Sequence, residues 1–395
     1  TEDFGKSRVK ITNGIPDGAF VRVVREDPER KGLLYAGTET GVYVSFDDGQ
    51  NWQSLQLNLP VVPIRDMVIA EDDLVAATHG RSFWILDDLT PLHQLNPEVA
   101  GLDFYLFKPR YAYRMQGGSY PREDAGQNPP SGSVIYYFLK EKPGQPITLE
   151  FRDEQGHVIK SFSSAETEGQ SSLPAESGMN RFVWNMRYPD AERVPGAVLW
   201  GGSGRGPVAP PGQYEVRLSI GEKTQIRNWE WRKDPRIDAS QADLDRQFDF
   251  LIQIRDKFSK VNRGIIILRS MRSQIQEVLK KIEGRDDVKD VIEEGRTLIE
   301  KLTNIEDVLI QSKSKSPQDP LNYPIKLDNK LAALMSVAAA ADARPTQQSY
   351  EVFKELSSRA EAQLGLLDLI EKRDLPEFNE MVKDADVPAV LIKKK

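Results

Sequence analysis

The hydrophobic period of the chain changes once, near residue 237. Before that point, apolar residues fall in short alternating or continuous runs at 20–24, 33–36, 42–46, 67–69, 74–77 and 82–86. Runs of this length, bounded by Gly, Asp and Pro, predict β-strands joined by tight turns. Beyond it, Leu244, Phe248, Leu251, Ile254, Phe258, Val261, Ile265, Leu268, Met271, Ile275, Val278 and Ile282 recur every three or four residues. That spacing predicts one long helix with a continuous apolar stripe. Ser240 and Asp243 mark its start, a capping-box variant with Asp in place of Glu. A second stripe runs through Val288, Val291, Ile292, Leu298, Leu302, Ile305 and Leu309; residues 317–324 interrupt it, and helices are expected at 327–341, 346–372 and 375–383. Short connections favour antiparallel neighbours, so 237–395 predicts a helical bundle or long helical hairpin.

Between these regions, strands are expected at 133–139, 147–152 and 158–162, and again around Pro211-Gly212 and Gly221-Glu222, where turns fall. Regular strand lengths predict an antiparallel β-sandwich of immunoglobulin or fibronectin type over 104–236, with Trp184, Tyr214, Leu218 and Trp229 in its core. Residues 117–132, rich in Gly and Pro, read as a long exposed connection. The run Gly201-Gly202-Ser203-Gly204-Arg205-Gly206 lacks the Gly-Lys-Ser/Thr ending of a phosphate loop and is expected to be a flexible loop of the sandwich.

Within 1–103 a repeat is visible. Ser45, Asp47, Gly49 and Trp52 fit S-x-D-x-G-x-x-W, the Asp-box hairpin pattern. The chemistry is local: a carboxylate at Asp47 accepts backbone N–H groups, Gly49 takes positive φ, and Trp52 pins the hairpin to the sheet. Thr1, Asp3 and Gly5 stand 44 positions earlier as a worn copy, with Arg8 where Trp52 has its indole. A decayed copy follows at an offset of 40, with Ile85, Leu89 and Leu92 in place of Ser45, Gly49 and Trp52. About two four-stranded blades are therefore expected, and two blades cannot close a propeller. Residues 1–103 are accordingly expected to be the last blades of an incomplete propeller, completed by missing blades or a partner chain carrying them. The start at Thr1 is read as following processing or truncation.

Composition narrows the chemistry. A net charge of −7 gives no basic field for nucleic acid. No apolar run approaches the roughly 20 residues that span a bilayer. With no cysteine in 395 residues, disulfides, thiol nucleophiles and thiolate metal sites are excluded. His79, His93 and His157 lack zinc spacing, and no cofactor is expected; the acidic pairs Asp47-Asp48 and Asp72-Asp73 offer oxygen ligands suited to calcium.

The segments LLYAGTETGVYVSFDDGQNWQSLQLNLP, THGRSFWILDD, GMNRFVWNMRYP, PPGQYEVRL, DPLNYPIKL and FNEMV together resemble the C-terminal half of large bacterial sortilin-like Asp-box, or BNR-repeat, β-propeller proteins, often labelled glycosyl hydrolases. The resemblance implies a propeller, a β-sandwich and a helical tail in an exported protein. It also sets the catalytic raw material to look for: Arg65, Arg81 and Arg110 for an arginine triad, Tyr43 for a nucleophile, and Asp66, Asp72, Asp73, Asp87 and Asp88 for paired carboxylates. His79, Arg81, Arg65 and Tyr43 are the binding candidates, because His titrates near neutrality and Arg grips carboxylates. Turn geometry and surface solvation account equally for most of these residues. The reading is therefore a propeller, sandwich and helical scaffold binding a protein, peptide or glycan, without nucleic acid or a membrane span. The alternatives are a glycoside hydrolase with its centre in missing blades, and a subunit docking through an open propeller edge.

Overall fold

The computed structural model describes residues 1, 3–115, 126–165 and 172–387. Part of the expected 117–132 connection and the closing lysines lie outside the described residues. The fold is mixed: antiparallel sheets followed by a helical C-terminal region. The chain divides into two compact units, Thr1–Asn185 with Gly212–Arg232, and Met186–Pro211 with Lys233–Lys395.

The first unit opens with strands β1 (Val21–Glu26), β2 (Leu34–Thr38), β3 (Val42–Ser45) and β4 (Gln53–Ser54), a four-stranded meander in sequence order. A second meander follows, β5 (Ile64–Ala70), β6 (Asp73–Thr78) and β7 (Phe83–Leu86), with three strands rather than the four expected. The position of β4 in the repeat is taken by a short helix, α1 (Thr90–Gln94), with Pro91 in its first turn; α2 (Pro97–Gly101) follows, capped by Asn96. Proline at a helix start fixes φ and lacks a donor that would be orphaned anyway, so this stretch favours helix over a fourth strand. Val23, Tyr35, Val42, Val44, Ile64, Met67, Leu74, Ala76 and Leu89 form one buried cluster joining the two meanders.

The remaining strands of this unit are β8 (Phe104–Leu106), β9 (Ala112–Arg114), β10 (Ser133–Leu139), β11 (Ile147–Arg152), β12 (Val158–Ser163), β13 (Gly178–Trp184), β14 (Gly212–Ile220) and β15 (Lys223–Lys233). They form two sheets, ordered β13-β10-β8 and β12-β11-β14-β15-β9. Strict alternation buries Ile135, Tyr137 and Leu139 on β10, and Ile147, Leu149 and Phe151 on β11. Trp184 on β13 stacks on Phe151 of the other sheet at 4.4 Å between ring centroids and meets Trp229 edge-on at 6.2 Å. Trp184, Tyr214, Leu218 and Trp229 are all buried, as the alternation requires.

The second unit is built on α3 (Gln241–Lys281), whose 41 residues make a rod of about 60 Å. Its capping box forms: the Asp243 N–H donates to Ser240 Oγ at 3.2 Å and the Ser240 N–H to Asp243 Oδ2 at 3.3 Å. Ten of the twelve predicted stripe residues are buried, with Phe248 and Val278 half-buried. Helices α4 (Lys289–Leu309), α5 (Leu327–Ala338) and α6 (Gln347–Leu369) pack along it. A π-helical turn, Ile370–Asp374, joins α6 to α7 (Leu375–Asp384). Pro376 cannot donate to the Lys372 carbonyl, and the widened turn accommodates that loss.

Segment Met186–Pro211 belongs with the helices, so residues 104–236 do not stay in one unit. The glycine run at 201–206 is correspondingly not a loose sandwich loop. A Cβ on Gly202 would lie 2.4 Å from the Ala332 backbone of α5, so only glycine permits this approach. Asn329 holds the loop from both sides, accepting from the Trp200 N–H and donating to the Trp200 carbonyl, each at 2.7 Å.

Beside Asn329, burial pushes the Asp328 carboxyl up to about 7, against the lesser pull of Arg269. A folded value above the unfolded one of roughly 4 favours folding at acid pH, and that contribution is lost as pH rises through about 7. Asp328→Asn should therefore raise stability by on the order of 2 kcal/mol at about pH 8 and leave it nearly unchanged at about pH 4. Thermal melts of both proteins across this range check the prediction; parallel curves would contradict it.

Candidate functional site

The turn with the S-x-D-x-G-x-x-W pattern closes at the end of β3. Ser45 Oγ donates to Asp47 Oδ1 at 2.8 Å and accepts the Gly49 N–H at 2.9 Å. Asp47 accepts the Asn51 N–H on Oδ1 at 2.8 Å and the Asn51 amide on Oδ2 at 2.7 Å. These bonds, the Asn51 side chain first, hold the Asp47 carboxyl below its ordinary range. The backbone passes through left-handed conformations at Asp48 (φ 59°) and Gly49 (φ 86°), and Gly49 is buried beside the indole, where a side chain would collide with Ile11. Trp52 is 6% exposed, and its indole N–H donates to the Ile11 carbonyl at 2.9 Å.

The copy at the start of the chain repeats three of these bonds, with Ser7 standing where Asn51 supplies its side-chain amide. Thr1 Oγ1 donates to Asp3 Oδ1 at 2.8 Å and accepts the Gly5 N–H at 2.7 Å, while Asp3 accepts the Ser7 N–H at 2.9 Å. Phe4 and Gly5 take φ of 58° and 87°. The Ser7 bond is the main reason the Asp3 carboxyl falls to about 2. No tryptophan roofs this turn, and Phe4 is fully exposed. At the third copy only the left-handed residue survives, Asp88 at φ 65°; Leu89 replaces the glycine and turns into the core.

The binding candidates separate into different surroundings. Arg65 and His79, both exposed, meet at 2.9 Å between Nη2 and Nδ1. Arg81, two residues on, donates to the Gly80 carbonyl beside it at 3.1 Å. Tyr43 lines an open cleft of about 520 Å³ with Asp17, Thr40, Ser54 and Gln56, and none of the other three candidates lines it. Arg110 is committed to carboxylates, with Nη1 at 2.7 Å from Asp73 and Nε at 3.4 Å from Asp72. Arg65, Arg81 and Arg110 thus have three separate sets of partners and do not form a common grip.

Four of the five candidate aspartates do gather. Asp73 also accepts the Asp88 N–H at 2.8 Å, and Asp88 accepts from the Thr90 N–H and hydroxyl at 3.1 and 2.6 Å. Burial raises the Asp88 carboxyl; burial and the neighbouring Asp73 charge raise Asp87, with Arg181 opposing. Asp66 instead pairs with Arg25 at 2.6 Å. Among the described residues, no group of three or more His, Asp or Glu is arranged to hold a metal ion. The described helices include none long and apolar enough to cross a membrane.

Spacing gave no sign of a buried polar group centred on Asp27. Asp27 is buried, its Oδ1 accepting the Glu29 and Arg30 N–H groups at 2.9 and 3.0 Å. Its Oδ2 accepts the Tyr35 hydroxyl at 3.0 Å and lies 2.9 Å from His93 Nε2. Arg30 reaches the Leu92 and Leu95 carbonyls at 2.6 and 2.5 Å. The group locks α1 against the β1–β2 turn. Asp27 and His93 are 66 positions apart, and only the Asp-Pro turn signal at Asp27 was readable.

No family model matches this chain, and no curated protein matches it. Among solved structures, the extracellular domain of a hybrid two-component system from B. thetaiotaomicron is similar at 11% identity and a TM-score of 0.17, over 56% of this chain and 26% of that one. A Salmonella alpha-2-macroglobulin mutant is similar at 14% identity and a TM-score of 0.17, over 55% and 12%. The chain therefore spans about a quarter and an eighth of their lengths, and likeness at this level identifies neither fold nor function.

The geometry of the box gives a graded prediction. Trp52→Ala should cost about 3 kcal/mol, as removal of a buried aromatic does. Denaturant melts would check this, and a loss of ligand binding at unchanged stability would overturn the structural role.

Proposed function

We propose that the chain is a non-catalytic scaffold, exported in its native setting, that binds a protein, peptide or glycan partner. In this reading β1–β4 and β5–β7 are the last blades of an Asp-box propeller completed by blades carried elsewhere. The sheets of β8–β15 are an immunoglobulin- or fibronectin-type sandwich, and the helices are a supporting bundle. One observation carries it. The Ser45 hydroxyl and both Asp47 carboxylate oxygens are consumed inside their own turn, and Thr1 and Asp3 repeat the pattern. A carboxylate so occupied closes a hairpin and is poorly placed for proton transfer.

A glycoside hydrolase is the second reading, favoured by Asp87 and Asp88. A carboxyl held above its ordinary range is the general-acid half of a two-carboxylate site. Assay on sialosides and β-glucans separates the two. The scaffold reading expects no turnover above the uncatalysed rate; turnover abolished by Asp88→Asn in a folded protein would replace it with the hydrolase.

A further inference from the structure

We infer, resting on the scaffold reading above, that the cleft over Tyr43 is a binding site for a neutral oligosaccharide. Val42 and Val44 of β3 are buried in the cluster shared by the two meanders, so Tyr43 between them turns to the opposite face of the sheet. Ser54 of β4 is its cross-strand partner and stands on the same face. The cleft that they line has a volume of about 520 Å³, within the roughly 300–1,000 Å³ of small-molecule sites.

Two turns complete the lining. The Ala19 N–H donates to the Pro16 carbonyl at 3.2 Å and Gly18 takes φ of 83°, so Asp17 stands at the tip of a tight turn. Gln56 lies against the β2–β3 turn, where a Cβ on Gly41 would come 1.7 Å from its Oε1. Its Nε2 donates to the Leu59 and Pro60 carbonyls at 2.7 and 2.9 Å, which fixes the side chain. Thr40 Oγ1, in the β2–β3 turn, rests 3.3 Å from Thr38 Oγ1. A wall held in place before a ligand arrives costs less to order on binding.

The chemistry of the lining selects the ligand. The Tyr43 and Ser54 hydroxyls and the Asp17 carboxylate have no hydrogen-bond or ion-pair partner among the described residues, so their bonding capacity is open. Hydroxyls both donate and accept, and a carboxylate accepts from two adjacent hydroxyls at once, the arrangement that a sugar ring presents. The tyrosine ring and exposed Val61 supply apolar surface for the C–H face of that ring. No Lys, Arg or His lines the cleft and Asp17 repels an anion, so acidic sugars and phosphorylated ligands are disfavoured. A cationic peptide would gain only an exposed ion pair with Asp17, which is worth little, and would leave the hydroxyls unused.

Isothermal titration calorimetry of the whole chain with cellohexaose, xylohexaose, mannohexaose and maltohexaose tests this, with sialyllactose and tetralysine as charged comparisons. At least one neutral hexasaccharide is expected to bind, and neither charged probe. Asp17→Ala alters only an exposed turn, so it should raise the dissociation constant about fivefold with the melting temperature kept. Tyr43→Ala should raise it at least about tenfold, the fold being checked by circular dichroism. Binding of no neutral probe, or binding indifferent to both substitutions, would overturn the inference. Capture of tetralysine instead, lost with Asp17→Ala, would overturn it in favour of a basic peptide and leave the scaffold reading standing. Hydrolysis of a bound probe would remove the scaffold reading and leave the cleft as the sugar site.

Discussion

The burial of Trp52 under residues 11–13 is the contact on which the first sheet depends. Its indole N–H is bonded to Ile11, its backbone N–H donates to the Asn13 carbonyl at 2.8 Å, and the box lies directly beside it. The indole shields the Gly49 end of the turn, where the Gly49 N–H to Ser45 Oγ bond is buried, and a hydrogen bond that cannot be exchanged for one to water is harder to open; the Asp47–Asn51 bonds lie at the surface. Once that turn is closed, β4 is held on β3, and the chain leaves in position to bring Val62 and Ile64 into the shared cluster of the two meanders.

Much of the polar chemistry in this unit is spent in the same way. Asp47 closes a turn, Asp27 locks a helix, and Arg110 ties the Glu71–Asp73 hairpin through Asp72, Asp73 and the Glu71 carbonyl. Each is a charged or polar group whose loss would leave a partner unsatisfied, so each resists substitution without touching a ligand. The helical unit shows the same economy, with buried Glu306 gripped by Arg269 at 2.6 Å and by Arg272. Glu306 is paired; Asp328, held mainly by a backbone bond, is the group whose carboxyl rises to about 7.

What could be read ahead of the structure was what is local. The box needs only spacings of two, four and seven residues, and its turn forms as the residues predict. The α3 stripe was legible for the same reason, because a helix writes its buried face into neighbouring turns. Distant partners were not legible. Gly202 looked like flexible loop because Ala332, the reason for its missing side chain, is 130 positions away. His93 looked solitary until Asp27 met it, and the absent fourth strand of the second meander was hidden by a repeat that still aligned. The candidates His79, Arg65, Arg81 and Tyr43 were chosen by residue type; the fold brings only the first two together.

The central claim is that Trp52, and not the hydrogen bonds alone, makes the box at Ser45 a stable element. The two copies provide an internal comparison, sharing the hydroxyl-to-glycine N–H bond with a roof over only one. Amide hydrogen exchange measured residue by residue tests it directly. The account predicts strong protection of the Gly49 amide and near-free exchange at Gly5. Equal protection at both turns would show that the bonds suffice without the indole, and would contradict it.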